Sequence, residues 1–326
     1  MQSLTPDTLR PIVILGPTAG GKSELAVRLA EQLGGEILGA DSMQVYRHMD
    51  AGTAKPEPAL TERAKHHLIN IIEPTDSFSV NDWLNLANPL IEQLLLQNIR
   101  PIIVGGTNLY LKALLEGLFD GPSSDPQLRE TLSQTPNAQL HEQLQQVDPE
   151  AAQRIHVNDQ KRLIRALEVF HTTGKTITQM QQQWSDAATT GQTTYRFNPI
   201  LIGLQWDVPN INKRINKRVK YMFNPPEDQT VWPWPESLPE ETKRLEDAGL
   251  LGDQAREALG YKQVLEHLAG KYSLADAQEK TKILTRRFAK QQRTWLKRFM
   301  GVHWLQADHG DAVRLTDEAM GIVASI

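Results

Sequence analysis

The chain has 326 residues, a length that predicts about two domains. Hydrophobic residues make up 40% and charged residues 23%, which is typical of a folded globular protein and excludes a disordered chain. The formal net charge of −4 gives no overall sign of a nucleic-acid partner. Because there is no cysteine, disulfides, thiolate nucleophiles, cysteine zinc sites and iron–sulfur clusters are excluded. The N-terminal sequence lacks the pattern of a secretory signal and no apolar run approaches the roughly 20 residues of a membrane span, so we expect a cytoplasmic protein without membrane association.

Short apolar runs in the chain predict buried parallel strands. Continuous runs, rather than alternating ones, are typical of strands covered on both faces. Between the first two runs, Lys22–Leu33 has leucines at helical spacing and is followed by Gly34, a common helix stop. This order of strand, helix and strand predicts an α/β fold. The four runs are Ile12–Leu15, Glu36–Ala40, Pro101–Val104 and Ile200–Ile202.

The middle of the chain has few strand signals. Leucines at helical spacing recur there, at Leu140 and Leu144 and again at Leu163 and Leu167, which predicts an all-helical insertion. The segment Phe223–Pro239 is rich in proline and tryptophan and predicts a loop, and the chain from Glu240 to Met300 reads as helical. We therefore predict three segments, which are the first part of the core (1–121), the helical insertion (122–194) and the second part of the core with basic C-terminal helices (195–326).

A phosphate-binding loop lies between the first strand and the first helix. Gly16–Ser23 fits the pattern Gly-x-x-x-x-Gly-Lys-Ser/Thr in the expected strand–loop–helix context. Its backbone N–H groups and the helix N-terminus favour a polyphosphate, Lys22 supplies a positive charge, and the Ser23 hydroxyl is placed to hold Mg²⁺. The fold class is therefore a P-loop NTPase-like parallel sheet flanked by helices, with an inserted all-helical domain. The motif does not distinguish a kinase, an NTPase and a transferase.

Polar residues follow two further predicted strands. Asp41 comes after the second strand, and ligands in α/β sheets lie at the carboxyl ends of strands. It is interpreted as a Mg²⁺ ligand through water, as a general base or as a helix cap, and spacing does not rank these. Gly105-Gly106-Thr107 follows the third strand, where Thr107 either donates to a phosphate oxygen or caps the next helix.

Basic residues are segregated within this acidic protein. On 212–220, Arg214 and Arg218 lie one helical turn apart, a spacing that suits a grip on pyrophosphate or RNA phosphate. The segment 280–298 is also rich in basic residues, whereas acidic residues concentrate in 227–257. Each basic patch is interpreted either as a solvated helix face or as part of a nucleic-acid surface. A third patch comprises Arg154, His156, Lys161, Arg162 and Arg165.

Together these motifs resemble the bacterial tRNA dimethylallyltransferases, also called tRNA isopentenyltransferases. The matches run in order from near residue 11 to about residue 305, and several are far more specific than a phosphate loop alone. They are GPTAGGKS, ADSMQVYRHMDAGTAKP, HHLI, GGTNLYLKALLEGL, HVNDQKRLIRALEVFHTTGK, KRINKRVKYM, ALGYKQVLEHLAG and TRRFAKQQRTWLKRF.

The resemblance implies that a dimethylallyl group moves from dimethylallyl diphosphate to N6 of the adenosine 3′ of the anticodon, in tRNAs reading codons that begin with U. Asp41 resembles the general base of the family. Thr107, Arg218 and Lys22 resemble the groups that stabilise the departing diphosphate, with Mg²⁺ near Ser23 as the implied cofactor. The implied diphosphate-binding residues are Gly16, Thr18, Ala19, Gly20, Gly21, Lys22 and Ser23.

The same resemblance implies that the anticodon stem-loop of tRNA is the macromolecular partner, gripped by the helical insertion, and that the target base is turned out into a pocket. We expect the protein to act as a monomer. The implied tRNA contacts are Asp41, Ser42, Met43, Gln44, Thr107, Arg129, Lys161, Arg162, Leu163, Ile164, Arg165, Gly260, Tyr261 and Lys262.

Two departures from the family pattern stand out. The segment Phe223–Pro239, which contains Trp232 and Trp234, is interpreted as surface decoration or as a wall of the tRNA channel, with decoration favoured. Gln291 stands where the family usually has arginine. The alternatives for function are an isopentenyltransferase that uses free AMP or ATP, a P-loop kinase of a small metabolite, and a non-catalytic RNA-binding module.

Overall fold

The computed structural model describes residues 9–118, 121–122, 125–186, 195–228, 230–308 and 311–326, with the backbone alone for 182–186. These residues divide into two compact units. The first unit comprises the chain up to Leu115 and from Arg196 onward, and the second runs from Glu116 to Tyr195. The boundary expected at Thr194 lies outside the described residues.

The first unit is built on one parallel sheet. Its strand order is β3-β2-β4-β1-β5-β6 in the described residues, and every pairing among them is parallel. The predicted α/β fold with a parallel sheet is therefore confirmed. The two edge strands, β3 and β6, were not predicted from the sequence, because one has two residues and the other is largely exposed. The strands are β1 (Ile12–Leu15), β2 (Gly35–Gly39), β3 (His66–His67), β4 (Arg100–Val104), β5 (Ile200–Gln205) and β6 (Val302–Gln306).

Helices cover both faces of the sheet. The first helix begins and ends where the leucine spacing predicts, and Gly34 ends it in the left-handed conformation. Several others begin at a serine whose side chain accepts a backbone N–H, as Ser79, Ser237 and Ser273 do. The helices of this unit are α1 (Lys22–Leu33), α2 (Pro58–Arg63), α3 (Val80–Leu96), α4 (Asn108–Glu116), whose last residue belongs to the second unit, α10 (Val208–Phe223), α11 (Leu238–Asp247), α12 (Asp253–Arg256), α13 (Tyr261–Leu268), α14 (Leu274–Leu296) and α15 (Ala312–Ser325).

The core of the first unit lies between the sheet and α1. Ile12, Ile14, Ile37 and Ile202 are fully buried and pack with the apolar face of that helix. Because burial of an aliphatic side chain stabilises by about 1.5–3 kcal/mol, this layer holds the carboxyl ends of the strands in fixed positions.

The second unit is helical in its described residues. Leu140, Leu144, Leu163 and Leu167 are buried together in its core, so the helical spacing read from the sequence is confirmed. Asp125, Asp148 and Asp159 cap the helices that follow them. The helices are α5 (Pro126–Ser133), α6 (Asn137–Val147), α7 (Pro149–Arg154), α8 (Gln160–Thr173) and α9 (Ile177–Asp186).

The proline- and tryptophan-rich segment is a loop between α10 and α11, as predicted. Trp232 is only 8% exposed, however, and its indole donates to the carbonyl oxygen of Glu236 at 3.2 Å. Surface decoration is therefore the wrong interpretation for Trp232, because its indole is packed inside the unit. Across the described residues, we find no helix long and apolar enough to cross a membrane.

Candidate active site

Three strand ends meet at one edge of the sheet. Strands β2, β4 and β1 are neighbours and parallel, so the segments after Gly39, Val104 and Leu15 lie side by side. The loops after β2 and β4 touch closely, since a Cβ atom on Gly105 would lie 2.0 Å from the carbonyl oxygen of Ala40. This approach is open only to glycine. It places Asp41, Gly106 and the phosphate loop around one cavity.

Lys22 of the phosphate loop is folded back onto the loop itself. Its ammonium donates to the carbonyl oxygens of Gly16 and Pro17 at 3.1 and 2.9 Å. Burial lowers the pKa of Lys22 to about 8, the Asp41 carboxylate raises that pKa in part, and Arg218 lowers it further. An anionic ligand at the loop would favour the protonated lysine, so the loop holds a charge that binding of a phosphate would stabilise.

Two arginines of α10 are fastened to the same loop. Arg218 Nη2 donates to Thr18 Oγ1 at 2.6 Å, and Arg214 Nε donates to the carbonyl oxygen of Ala19 at 2.8 Å. Burial lowers the pKa of Arg218 to about 10, while Asp41 raises it in part. Within the described residues, Arg218 Nε is buried and has no hydrogen-bond partner. The predicted arginine pair therefore lies beside the loop, and one buried donor of Arg218 remains for a ligand.

The carboxylate of Asp41 is held by the turn that follows it. Its Oδ1 accepts the backbone N–H of Met43 at 3.0 Å, while Oδ2 lies on the side of Gly106, 3.0 Å from where a Cβ atom of that glycine would stand. Thr107 Oγ1 accepts the N–H of Ser42 at 2.8 Å and donates to Ser42 Oγ at 3.2 Å. Asp41 thus has one oxygen engaged locally, and Thr107 links the two strand ends.

Gln292 of α14 joins two of these loops and was not singled out from the sequence. It is 1% exposed, its Oε1 accepts the N–H of Thr18 at 2.8 Å, and its Nε2 donates to the carbonyl oxygen of Gly106 at 2.8 Å. The neighbouring Gln291, where the family usually has arginine, is exposed. Nothing in a helical glutamine-rich stretch marks one glutamine as buried, so only the tertiary structure identifies this contact.

The cavity enclosed by these elements, called here the reaction cavity, has a volume of about 150 Å³. Its lining includes charged and polar groups of Lys22, Ser23, Asp41 and Arg218. Apolar lining residues were missed by sequence reasoning and include Ile37, Ile69, Val104 and Phe288. The site therefore offers both phosphate-binding groups and apolar surface to a ligand.

The Ser23 hydroxyl lines the reaction cavity with Asp41, and we find no protein partner for it among the described residues. No cluster of three or more acidic or histidine ligands is present in the described part of the chain. A hydroxyl with phosphate oxygens and water is nevertheless a donor set that Mg²⁺ accepts. The residues present fit a magnesium ion held jointly by the protein and a diphosphate.

Gln44 and Tyr261, two of the residues expected near tRNA, support the loop 50–54 instead of lying free. Gln44 Nε2 donates to the carbonyl oxygens of Thr53 and Ala54 at 3.2 and 3.1 Å. Tyr261 is fully buried and donates to Glu241 at 2.5 Å, and Glu241 also accepts the N–H groups of 50 and 51. The Tyr261 side chain therefore positions the loop 50–54 and does not make the contact with RNA that was expected of it. Lys262 lies at the surface in an ion pair with Glu257 at 2.8 Å, and the Gly260 N–H is bonded to Gln263.

In the second unit, two of the expected tRNA arginines surround a buried acid. Glu168 is fully buried and accepts from Arg129 and Arg165 at 2.7 and 2.6 Å. Burial raises the pKa of Glu168, but the two arginine hydrogen bonds outweigh this and hold it below the ordinary value. Leu163 is fully buried, so a side-chain contact of Leu163 with RNA is corrected to core packing. Lys161 and Arg162 are exposed, and Ile164 is partly buried.

Comparison with known proteins identifies the family to which this chain belongs. A family model described as IPP transferase matches residues 44–299, and one described as isopentenyl transferase matches residues 10–71. The tRNA dimethylallyltransferase of Geobacter sulfurreducens is 41% identical over 300 residues, covering 90% of this chain and 91% of that protein. The chain belongs to the tRNA dimethylallyltransferase family. Another member, from Geobacillus thermodenitrificans, is 42% identical over 302 residues, covering 91% and 90% of the two chains.

Solved structures of tRNA dimethylallyltransferases share the fold. The full-length tRNA isopentenylpyrophosphate transferase of Bacillus halodurans matches with a TM-score of 0.67 and 34% identity, covering 97% of each chain. A eukaryotic dimethylallyltransferase acting on tRNA matches with a TM-score of 0.75 and 26% identity, covering 97% of this chain and 79% of that one. The resemblance read from the sequence motifs is therefore confirmed at the level of the family.

Proposed function

We propose that this protein transfers a dimethylallyl group from dimethylallyl diphosphate to N6 of the adenosine 3′ of the anticodon, in tRNAs that read codons beginning with U. Family membership supports the reaction class. The single observation that carries it is the reaction cavity, which is lined by the phosphate loop and Arg218 and also by apolar residues, Ile37 and Ile69 among them. A diphosphate with a five-carbon apolar tail uses both kinds of lining.

The diphosphate end would bind at the phosphate loop. Lys22 would turn from the carbonyl oxygens of Gly16 and Pro17 toward the incoming phosphate. The negative charge of that phosphate would raise the pKa of Lys22, which burial lowers to about 8, and so keep the ammonium protonated. Arg218 lies beside Thr18 and has a buried Nε without a partner among the described residues. Donors aimed at the leaving group lower the barrier because its negative charge grows as the C–O bond breaks.

Asp41 would act on the acceptor amine. The N6–C1 bond forms as the bond between C1 and the diphosphate oxygen breaks, and the amine must lose a proton. Asp41 Oδ1 is engaged by Met43 N–H, so Oδ2 is the oxygen that would take the proton. A positioned base of this kind contributes about 10²–10⁴-fold to the rate.

Ser23 and diphosphate oxygens would hold Mg²⁺, which supplies charge neutralisation on the leaving group when bound. In this proposal Lys22 and Arg218 bind the diphosphate, and Asp41 takes the proton. We further propose that the tRNA contacts implied by the resemblance involve the exposed Lys161 and Arg162 and the partly exposed Lys262.

A nucleoside analysis tests the proposal. Undermodified tRNA is incubated with the protein, Mg²⁺ and dimethylallyl diphosphate, and its nucleosides are analysed by mass spectrometry beside a parallel reaction with AMP. We expect prenylated adenosine in tRNA, with a loss of about 10²-fold or more in Asp41→Asn. Asp247→Asn, the same change at an exposed position on α11, is the matched control and retains activity. Product with AMP alone would move the protein to the free-nucleotide alternative, and ATP consumption without prenylation would favour a kinase.

A further inference from the structure

A second and larger cavity lies outside the reaction cavity. Its volume is about 530 Å³, and none of the described residues lines both cavities. Its walls come from the end of β5, from β6 and from the C-terminal half of α14, with Pro17 of the phosphate loop at one side. The proposed reaction uses none of its lining side chains.

Two indoles contribute to the lining of this second cavity, beside several smaller apolar residues. Trp304 of β6 is 40% exposed and pairs with Gly203 on β5. A Cβ atom on Gly203 would stand 2.4 Å from the Trp304 ring, so the absence of a side chain there lets the indole lie flat against the strand. Trp206 donates its indole N–H to the carbonyl oxygen of Gly20 at 3.1 Å and is covered on one side by Arg214, 4.8 Å from the ring centre.

Three cations also line the cavity. Lys290 and Arg293 lie on α14 and Lys297 directly follows it, and no acidic residue is among the lining in the described residues. Arg293 Nη1 is buried and has no hydrogen-bond partner in that part of the chain. A buried guanidinium donor without a partner loses its solvation, and an anionic acceptor in the cavity would compensate for that loss.

From this geometry we infer that the second cavity binds a nucleoside phosphate, with the base stacked on Trp304 and the phosphate held by Arg293, Lys297 and Lys290. Stacking on an aromatic side chain stabilises any base without sequence preference, and two N–H groups of a guanidinium match two phosphate oxygens. The same chemistry is presented by a free nucleotide and by an unpaired nucleotide of an RNA chain. This inference goes beyond the proposed function and does not depend on it, because the cavity lies apart from the reaction cavity.

Binding is tested with an azido-adenosine monophosphate as photoprobe, with inorganic pyrophosphate present to occupy the phosphate loop. We expect saturable binding and cross-linking to the tryptic peptide 299–314, which contains Trp304. The double variant R293Q/K297Q loses about tenfold or more in affinity, because it removes two of the three cations that would hold the phosphate. K243Q/K271Q removes two lysine charges whose side chains are 61% exposed on other elements, and it is the matched control with unchanged affinity. K290Q/K297Q changes only exposed residues and replaces the first variant if that one does not fold.

The source of the ligand is separated by competition. A single-stranded pentaribonucleotide that displaces the photoprobe identifies RNA as a ligand, and failure to displace it identifies the free nucleotide. The inference is overturned if neither the photoprobe nor the labelled pentaribonucleotide binds saturably, if the variants retain wild-type affinity, or if all cross-links map to the reaction cavity. No prenyl transfer is measured in this experiment, so its failure is distinguishable from failure of the proposed function.

Discussion

Replacement of Gln292 by methionine is the most direct test of how the reaction cavity is held together. The side chain is 1% exposed, and it ties α14 to both the phosphate loop, through Thr18 N–H, and the loop after β4, through the carbonyl oxygen of Gly106. Methionine conserves the volume but accepts and donates no comparable hydrogen bond. The change therefore removes both hydrogen bonds without opening a large cavity.

The expected loss follows from the two backbone groups left behind. A buried polar group without a partner costs about 1–3 kcal/mol, and Thr18 N–H is only partly buried whereas the Gly106 carbonyl group is buried. We therefore expect the free energy of unfolding to fall by about 2–4 kcal/mol, against a usual total of about 5–15 kcal/mol. At about 2–4 °C per kcal/mol for a unit of this size, the Tm falls by roughly 4–16 °C.

Calorimetry and urea unfolding measure the effect, and Gln291→Met provides the matched control. Gln291 precedes Gln292 on the same helix but is exposed, so its replacement is expected to change stability by less than about 0.5 kcal/mol. If Gln292→Met also stays within that limit, the two hydrogen bonds do not fasten the loops and the reasoning is refuted. Gln292→Glu adds a second test, because a carboxylate placed beside Thr18 would weaken diphosphate binding by repulsion, beyond any effect of methionine.

Three further predictions concern the same cavity. In titrations of dimethylallyl diphosphate without tRNA, affinity is expected to fall as the pH rises through about 8, because Lys22, whose pKa is lowered to about 8, then loses its proton. Lys22→Arg is expected to flatten this pH dependence, and a flat wild-type profile would contradict the prediction. Asp41→Asn is expected to lower kcat by about 10²–10⁴-fold without weakening donor affinity in the same titration, and equal losses in both would assign Asp41 to donor binding instead. Gly105→Ala is expected to destabilise the protein by more than about 3 kcal/mol, since its Cβ atom would lie 2.0 Å from the Ala40 carbonyl oxygen. Gly321→Ala, in open space on α15, is expected to be neutral or stabilising in the same unfolding experiment, and a tolerated Gly105→Ala would contradict the close approach.

Local sequence patterns determined the elements and the chemistry of their ends. The apolar run Ile12–Leu15, the loop Gly16–Ser23 and the leucine-spaced helix that follows appear in the structure as predicted, because hydrogen bonding and burial over these short segments depend on neighbouring residues. The resemblance carried by DSMQVYRHMDAGTAKP and RLIRALEV identified the family, because chance does not produce a long set of motifs in the same order.

Contacts between residues distant in the chain were decided by the tertiary structure alone. Three features join elements that no local pattern connects. They are the burial of Gln292 against two loops, the place of Phe288 in the lining of the reaction cavity, and the pairing of Arg129 with Glu168. Edge strand β6 and the second cavity depend on which strand lies beside β5, and the alternation or spacing of apolar residues does not encode that order. The sequence by itself therefore determined which chemical groups are available, and packing determined which of them face a ligand, because burial and hydrogen-bond partners are properties of the assembled fold.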